Sequence, residues 1–310
     1  GFATKAKIPV ILIGDIDRGG VIAQIVGTKE VLPKKDRDLI IGFLINKFRG
    51  ELSLFQKGYQ FIQRKTNWKG YGVLPWFDKC NHFPAEDSFD ISYRSKKSKH
   101  KIACLQLSRI SNFDDLNPLS QEPNISVEMI KPGNKIPIDS DLVIIPGSKS
   151  TIDDLIFLKK NKWDLDLKKH LRRKKYILGI CGGYQMLGKE IFDEKLIESK
   201  KKKILGLGLL NVTTEMKNKK KTVKVSASHS ESGISFTGYE IHIGETKGED
   251  CYKPFCFINQ KKDGAISKDG LVMGSYIHGM FENNNFRSFF IRKILGINSM
   301  IDYKKQINQN

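Results

Sequence analysis

Apolar and polar positions along the chain fall into blocks, each about the length of one strand or one helix. Residues 9–14 form an apolar, β-rich run that opens into the polar loop 15–20. A helix is predicted over residues 21–31, a second strand over 39–45, and a loop at 46–50. A helix over 53–66 and a short strand over 71–74, stopped by Pro75, complete this first series. The stretch 93–101 is polar and rich in Lys and Ser, and reads as a linker. A second series follows, with strands at 102–106, 127–130, 142–145 and 176–180. Helices are predicted from 151 to 158 and from 184 to 191, the first carrying Asp153 and Asp154 where a helix dipole favours acids. From there to Phe281 the pattern is β-rich and broken by glycines, and an amphipathic helix closes it over 285–295. Strands that alternate with helices imply parallel sheets covered on both faces. The expected fold is therefore α/β, in two domains, 1–98 and 99–310.

Composition narrows the possible functions. The chain has 310 residues, and 53 basic against 34 acidic side chains leave a net charge of +19. Much of the excess is Lys in short runs, at 200–203 and 219–221, which read as solvated loops. No recognition helix, zinc finger or basic–aromatic platform is visible, so no nucleic-acid partner is expected. A basic surface also suits an anionic small substrate. The apolar runs are far too short to span a bilayer, and no secretory signal is seen, so no membrane partner and a cytoplasmic location are expected. The five cysteines are scattered, without a CxxC pair or zinc spacing, which fits a reduced compartment and leaves a thiol available for chemistry.

The sharpest motif is Gly179-Ile-Cys-Gly-Gly-Tyr-Gln-Met-Leu-Gly188, entered from an apolar strand. Glycines flanking a Cys between strand and helix match the nucleophile-elbow pattern, with Cys181 in the place of serine. The turn is tight, and side chains beside the nucleophile would clash. A thiol nucleophile needs a base. His278 ends the apolar run 271–278 and precedes a glycine, which puts an imidazole at a strand end, where open α/β sheets gather their sites. A lone histidine there is more often structural; its pairing with the elbow singles it out. His82, His100, His170 and His229 have weaker claims. A third motif, Val143-Ile-Ile-Pro-Gly-Ser-Lys-Ser-Thr151, ends a strand in a Pro-Gly turn whose Gly147 and Ser148 amides suit an oxyanion.

Together these motifs resemble class I glutamine amidotransferases and, more narrowly, the corrinoid-amidating CobB/CobQ branch. Asp15-Ile-Asp-Arg-Gly-Gly20, Ile45-Asn-Lys-Phe-Arg-Gly50, Gly206-Leu-Gly-Leu-Leu210, Gly238-Tyr-Glu-Ile-His-Ile-Gly244 and Gly274-Ser-Tyr-Ile-His-Gly-Met-Phe281 extend the match over nearly the whole chain. The resemblance implies a partial phosphate-loop-type synthetase domain followed by a flavodoxin-like amidotransferase domain. Cys181 would attack the amide of L-glutamine and His278 would move the proton. Gly147 and Gly182 amides would hold the oxyanion, and Gln185, Glu240 and His242 would line the glutamine pocket. ATP, with Mg²⁺, would activate the b, d, e and g carboxylates of a corrinoid for attack by ammonia; no prosthetic group is implied. In the first domain, Asp15 and Asp17 would hold Mg²⁺, Asn46 and Lys47 would meet the nucleotide, and Arg18 and Arg49 would bind substrate carboxylates, with Glu86 and Asp87 in a substrate loop.

Two departures stand out. Many class I amidotransferases carry Glu two residues after the histidine, where this chain has Met280, so the group that orients His278 is left open between Glu282 and Glu240. The family's phosphate loop, G-x-x-x-x-G-K-[ST], occurs nowhere in the chain, and the expectation is that upstream sequence is missing. The alternatives are a sister amidotransferase, either an a,c-diamide synthase or an enzyme acting on a cell-wall precursor, and a non-catalytic remnant of the fold.

Overall fold

The computed structural model describes residues 1–77, 98–218, 221–303 and 305. The chain divides into two units, Gly1–Asn81 and His82–Asn310. Glu86, Asp87 and most of the predicted linker lie outside the described residues.

In the first unit, short helix α1 (Phe2–Ala6) precedes strand β1 (Val10–Asp15), helices α2 (Val21–Val31) and α3 (Lys34–Arg37), strand β2 (Ile40–Phe48), helix α4 (Leu52–Thr66) and strand β3 (Lys69–Pro75). The three strands form a parallel sheet in the order β1-β2-β3. Phe43 and Ile45 on β2 pack with Val21 and Ile25 of α2 and Ile62 of α4. β2 runs further than its apolar residues suggest. Asn46 and Lys47 continue the strand to Phe48, since Asp15 pairs with Asn46 and Phe48 with Pro75 across the sheet. Polar residues are tolerated there because Asn46 and Lys47 are only half-buried, while Phe48 beyond them is buried.

The second unit is built on strands β4 (His100–Leu105), β6 (Ile125–Ile130), β7 (Leu142–Ile145) and β9 (Tyr176–Ile180), with the two-residue strands β5 (Ile110–Ser111) and β8 (Gly147–Ser148) beside them. The main sheet has the order Ala265–Ile266, Val272–Ser275, β9, β7, β4, β6, and all neighbours are parallel except the first pair. Every residue of β7 is buried, as expected of a strand covered on both faces. Successive side chains feed different cores, because a strand's side chains alternate faces. Leu142, Ile144, Leu178 and Ile180 join one cluster, while Val143, Ile145 and Ile177 join the other. Helices α6 (Thr151–Lys160), α7 (Trp163–Arg172) and α8 (Gly182–Leu187) contribute Leu155, Trp163 and Met186 to the second cluster. Short helix α5 (Asn117–Ser120) and closing helix α9 (Asn284–Leu295) put Leu119, Phe286 and Phe290 into the first. Each such buried large side chain contributes ~1.5–3 kcal/mol by leaving water.

A second, antiparallel sheet has the order Lys261–Asp263, Cys256–Ile258, Lys221–His229, Ser235–His242, Ile277–His278. The predicted helix over 184–191 is corrected here. It occupies Gly182–Leu187, and Glu190–Phe192 is a strand, because Gly188 is extended (φ −66°, ψ 176°) and ends the helix. The apolar run 271–278 is two strands rather than one. Val272–Ser275 belongs to the parallel sheet and Ile277–His278 to the antiparallel one. Buried Asp263 fixes the crossover by accepting from Ser275 Oγ (2.6 Å) and from Tyr276 N–H (3.3 Å).

Candidate active site

β9 ends at Ile180, and Cys181 begins the turn into α8 with φ 54° and ψ −110°. That backbone is costly for a residue with a side chain, and such strain gathers at functional sites. Cys181 N–H donates to Ser275 O at 2.8 Å, which ties the elbow to the neighbouring strand. The thiol is 5% exposed and lies 3.1 Å from Ile241 O.

His278 reaches the same place from the antiparallel sheet, where it pairs with Tyr239. Its Nδ1 lies 2.6 Å from Asp115 Oδ2, and Asp115 Oδ1 accepts Gly279 N–H at 2.6 Å. Both side chains are buried, His278 at 2% and Asp115 at 7% exposed. Burial opposes an imidazolium here, but the Asp115 charge and hydrogen bond, helped by the nearby Cys181 thiol, outweigh it and hold the pKa well above the usual histidine range. Buried Nε2 has no hydrogen bond of ordinary geometry among the described residues, although Cys181 stands close enough to stabilise its charge. The group that orients His278 is therefore Asp115, and neither Glu240 nor Glu282 takes that place. Glu240 is buried and committed elsewhere, with Oε2 2.5 Å from Lys221 Nζ and Oε1 3.4 Å from His242 Nε2. Glu282 ends the single turn Met280–Glu282, just beyond Gly279.

Two close approaches explain the glycines. A Cβ on Gly147 would lie 2.8 Å from His278 Cε1 and 2.9 Å from Ser111 Oγ, so only glycine lets the imidazole in. A Cβ on Gly182 would lie 3.1 Å from both Ser148 N and Thr151 Oγ1, which shows how tightly β8 approaches the elbow. Ser111 stands opposite Gly147, and Lys149 N–H donates to Arg109 O at 2.8 Å. In an antiparallel ladder this alternation turns the Gly147 N–H toward its partner strand and the Ser148 N–H away from it.

Gln185 is buried and its amide is fully engaged. Oε1 accepts from Thr151 Oγ1 at 2.9 Å, while Nε2 donates to Ile243 O at 2.8 Å and to Tyr276 Oη at 3.2 Å. The His242 ring stacks on Tyr276 with centroids 3.7 Å apart, and its Nδ1 lies 3.0 Å from Gly244 O. Glu198 comes from the loop after Glu190–Phe192 and receives Ile152 N–H at 3.3 Å. Burial pushes its carboxyl up to about 7.

Residues 101–286 match the family described as the CobB/CobQ-like glutamine amidotransferase domain. The chain belongs to that family. A cobyric acid synthase from Jannaschia sp. (strain CCS1) is 51% identical over 98% of this chain and 63% of its own length. Another, from Rhodobacter capsulatus, is 52% identical over 94% of this chain and 61% of its own. A third, from Bradyrhizobium diazoefficiens, is 52% identical over 95% of this chain and 61% of its own. The chain thus spans a little over three-fifths of the curated relatives it matches. In this amidotransferase family member, no described helix is long and apolar enough to cross a membrane.

The residues singled out in the first unit also cluster. Lys47 Nζ lies 2.8 Å from Asp15 Oδ2, and this bond holds the Asp15 carboxyl below its usual range. Arg18 Nε is 3.8 Å from the same oxygen. Arg49 Nε lies 3.0 Å from Asp17 Oδ1, and its guanidinium lies 3.4 Å from the centre of the Trp76 ring. Asn46 Oδ1 accepts Lys47 N–H. Asp15 and Asp17 are thus engaged by bases rather than set out as oxygen ligands. No group of three His, Cys, Asp or Glu side chains that would hold a metal is found among the described residues. As placed, the two carboxylates answer Lys47, Arg18 and Arg49 rather than a magnesium ion.

Sequence reasoning missed Asp115, Glu198 and Asp263. Asp115 had one signal: it follows a strand of a parallel sheet at its C-terminal end, where such sheets place functional groups. Glu198 and Asp263 sit in loops and at a strand end with no local pattern to mark them.

Proposed function

We propose that this chain hydrolyses glutamine at Cys181 and is the nitrogen-releasing part of a corrinoid amide ligase. The observation that carries the reading is the buried Asp115–His278 pair, 2.6 Å apart, with its second imidazole nitrogen turned to a thiol on a strained elbow. In this scheme the thiolate adds to the side-chain carbonyl of glutamine. The Ser148 and Gly182 amides receive the oxyanion, and Gly147 leaves room for the base. His278, held as imidazolium, protonates the departing nitrogen, so ammonia leaves and a glutamyl thioester remains. His278 then takes a proton from water as it attacks the thioester, and glutamate leaves. Glu240, His242 and Gln185 form the wall of the glutamine pocket, with Gln185 acting through Thr151 and Tyr276.

The ammonia would then amidate a carboxylate that ATP has activated as an acyl phosphate, with phosphate displaced. The name shared by the relatives supports cobyric acid formation as the overall reaction; in this scheme it proceeds by amidation of the b, d, e and g carboxylates of the a,c-diamide. L-Glutamine, ATP and the corrinoid are the substrates of this scheme.

The test is ammonia release from glutamine by the wild-type chain and by Cys181→Ala. The variant should lose release by at least about a thousandfold, and in an enzyme with a complete ATP domain it should keep amidation from added ammonium. An alanine variant that releases ammonia at the wild-type rate would show that Cys181 is not the nucleophile.

A further inference from the structure

We propose that Asp154 is a positioning residue, a buried clasp that seats the Ser148 amide against Cys181. The inference rests on the glutamine-hydrolysing reading above. Asp154 lies in the first turn of α6 and is fully buried. Its Oδ1 accepts from Ser108 Oγ at 2.5 Å, its Oδ2 from Ser148 Oγ at 2.6 Å, and both oxygens share Arg109 N–H at 3.2 Å. These donors belong to two separate segments, the loop after β4 and the strand β8, and none belongs to α6. Ser148 Oγ in turn accepts Ser150 N–H at 2.9 Å, so the clasp extends through the turn into the helix.

The need for a clasp follows from the size of the ladder it holds. β5 and β8 pair over only two residues each, too few to fix a register on their own. Yet β8 must hold its place closely, because Ser148 N lies 3.1 Å from the point where a Gly182 side chain would begin. An amide that serves an oxyanion loses most of its effect when displaced by about 1 Å, on the order of 100-fold in rate. The loop held on the other side, 106–109, leads through β5 into the turn Phe113–Leu116 that carries Asp115. One carboxylate therefore joins the segment bearing the oxyanion amide to the segment leading to the histidine's partner.

The experiment uses the full chain and two readouts. Ammonia release from glutamine needs the oxyanion site. Alkylation of Cys181 by iodoacetamide does not, because the sulfur displaces iodide from a saturated carbon and no tetrahedral oxyanion forms. Asp154→Asn should lower kcat for release about 100-fold, keep KM within about threefold, and leave alkylation within about twofold of wild type. Ser148→Ala removes one arm of the clasp but keeps the amide, and should show the same split at about tenfold. Equal losses in both readouts, or full hydrolysis by Asp154→Asn, would overturn the clasp. If Asp154→Asn does not fold, Ser148→Ala decides, and no split there overturns the proposal. A wild-type chain that is alkylated but releases no ammonia sinks the glutaminase reading, and the clasp with it.

Discussion

Replacing Asp115 by asparagine removes one charge from the buried pair and almost no volume. The Asp115 and His278 side chains touch at 2.6 Å, which puts their charge centres about 4 Å apart. At an effective dielectric constant of about 20, two unit charges at that distance attract by ~4 kcal/mol. Asparagine can turn its single oxygen to His278 Nδ1–H and so recovers part of this, so ~2–3 kcal/mol of imidazolium stabilisation is lost. Burial, which opposes the charged ring, then prevails. The expected result is a roughly 30- to 150-fold fall in kcat/KM for ammonia release at neutral pH, from about 1.4 kcal/mol per factor of ten. Iodoacetamide alkylation at pH 7 should slow as well, because less of the Cys181–His278 pair is in its charged form. This joint loss is what separates Asp115 from Asp154, whose variant should spare alkylation. Asp115→Asn within about threefold of wild type in both assays would refute the idea that this carboxylate supports the base.

Two further outcomes concern stability. Glu198 has a folded pKa of about 7 against 4.5 in the open chain, so the unfolded state ionises first as pH rises; stability is lost between about pH 4.5 and pH 7. Glu198→Gln should therefore raise Tm by a few degrees at pH 8 and leave it nearly unchanged at pH 4; a gain that does not vary with pH would disprove the link. Arg287 is fully buried and its Nε donates to Glu122 Oε1 at 3.0 Å, with further bonds to Phe281 O and Ile301 O. Arg287→Ala strands Glu122 in the core and should cost ~3–5 kcal/mol in denaturant unfolding, whereas Arg287→Ala with Glu122→Gln should cost less; equal losses would argue against the pair.

The parallel sheet was readable in advance because its strands are short, apolar and bounded by glycine or proline. β9 and α2 fall where the pattern puts them, and β4, β6 and α9 differ by one or two residues. Errors came where packing overrode local pattern. Asn46 and Lys47 look like a loop but extend β2, since Asn46 pairs with Asp15 on β1 and Phe48 with Pro75 on β3. The run around His278 looked like one strand because nearly every residue in it is apolar or small. Its break depends on Asp263, twelve residues before Ser275 in the chain and visible only in the fold. The elbow was legible because its steric demands are local: a nucleophile on a tight turn needs small neighbours. The partner of His278 was not, since a carboxylate that meets its histidine 163 residues later leaves no trace in spacing.

The break between Ser275 and Ile277 also orders events as the chain is made. Asp115 and Cys181 leave the ribosome first, and His278 follows 97 residues behind the thiol (278 − 181). At about 5–20 residues per second, that gap lasts on the order of 5 to 20 seconds. Even then the histidine cannot arm the cysteine until its two-residue strand has docked on Ser235–His242. On the proposed chemistry, a half-made chain carries an unarmed thiol, and ammonia release waits until Ile277–His278 has paired with Tyr239 and Glu240.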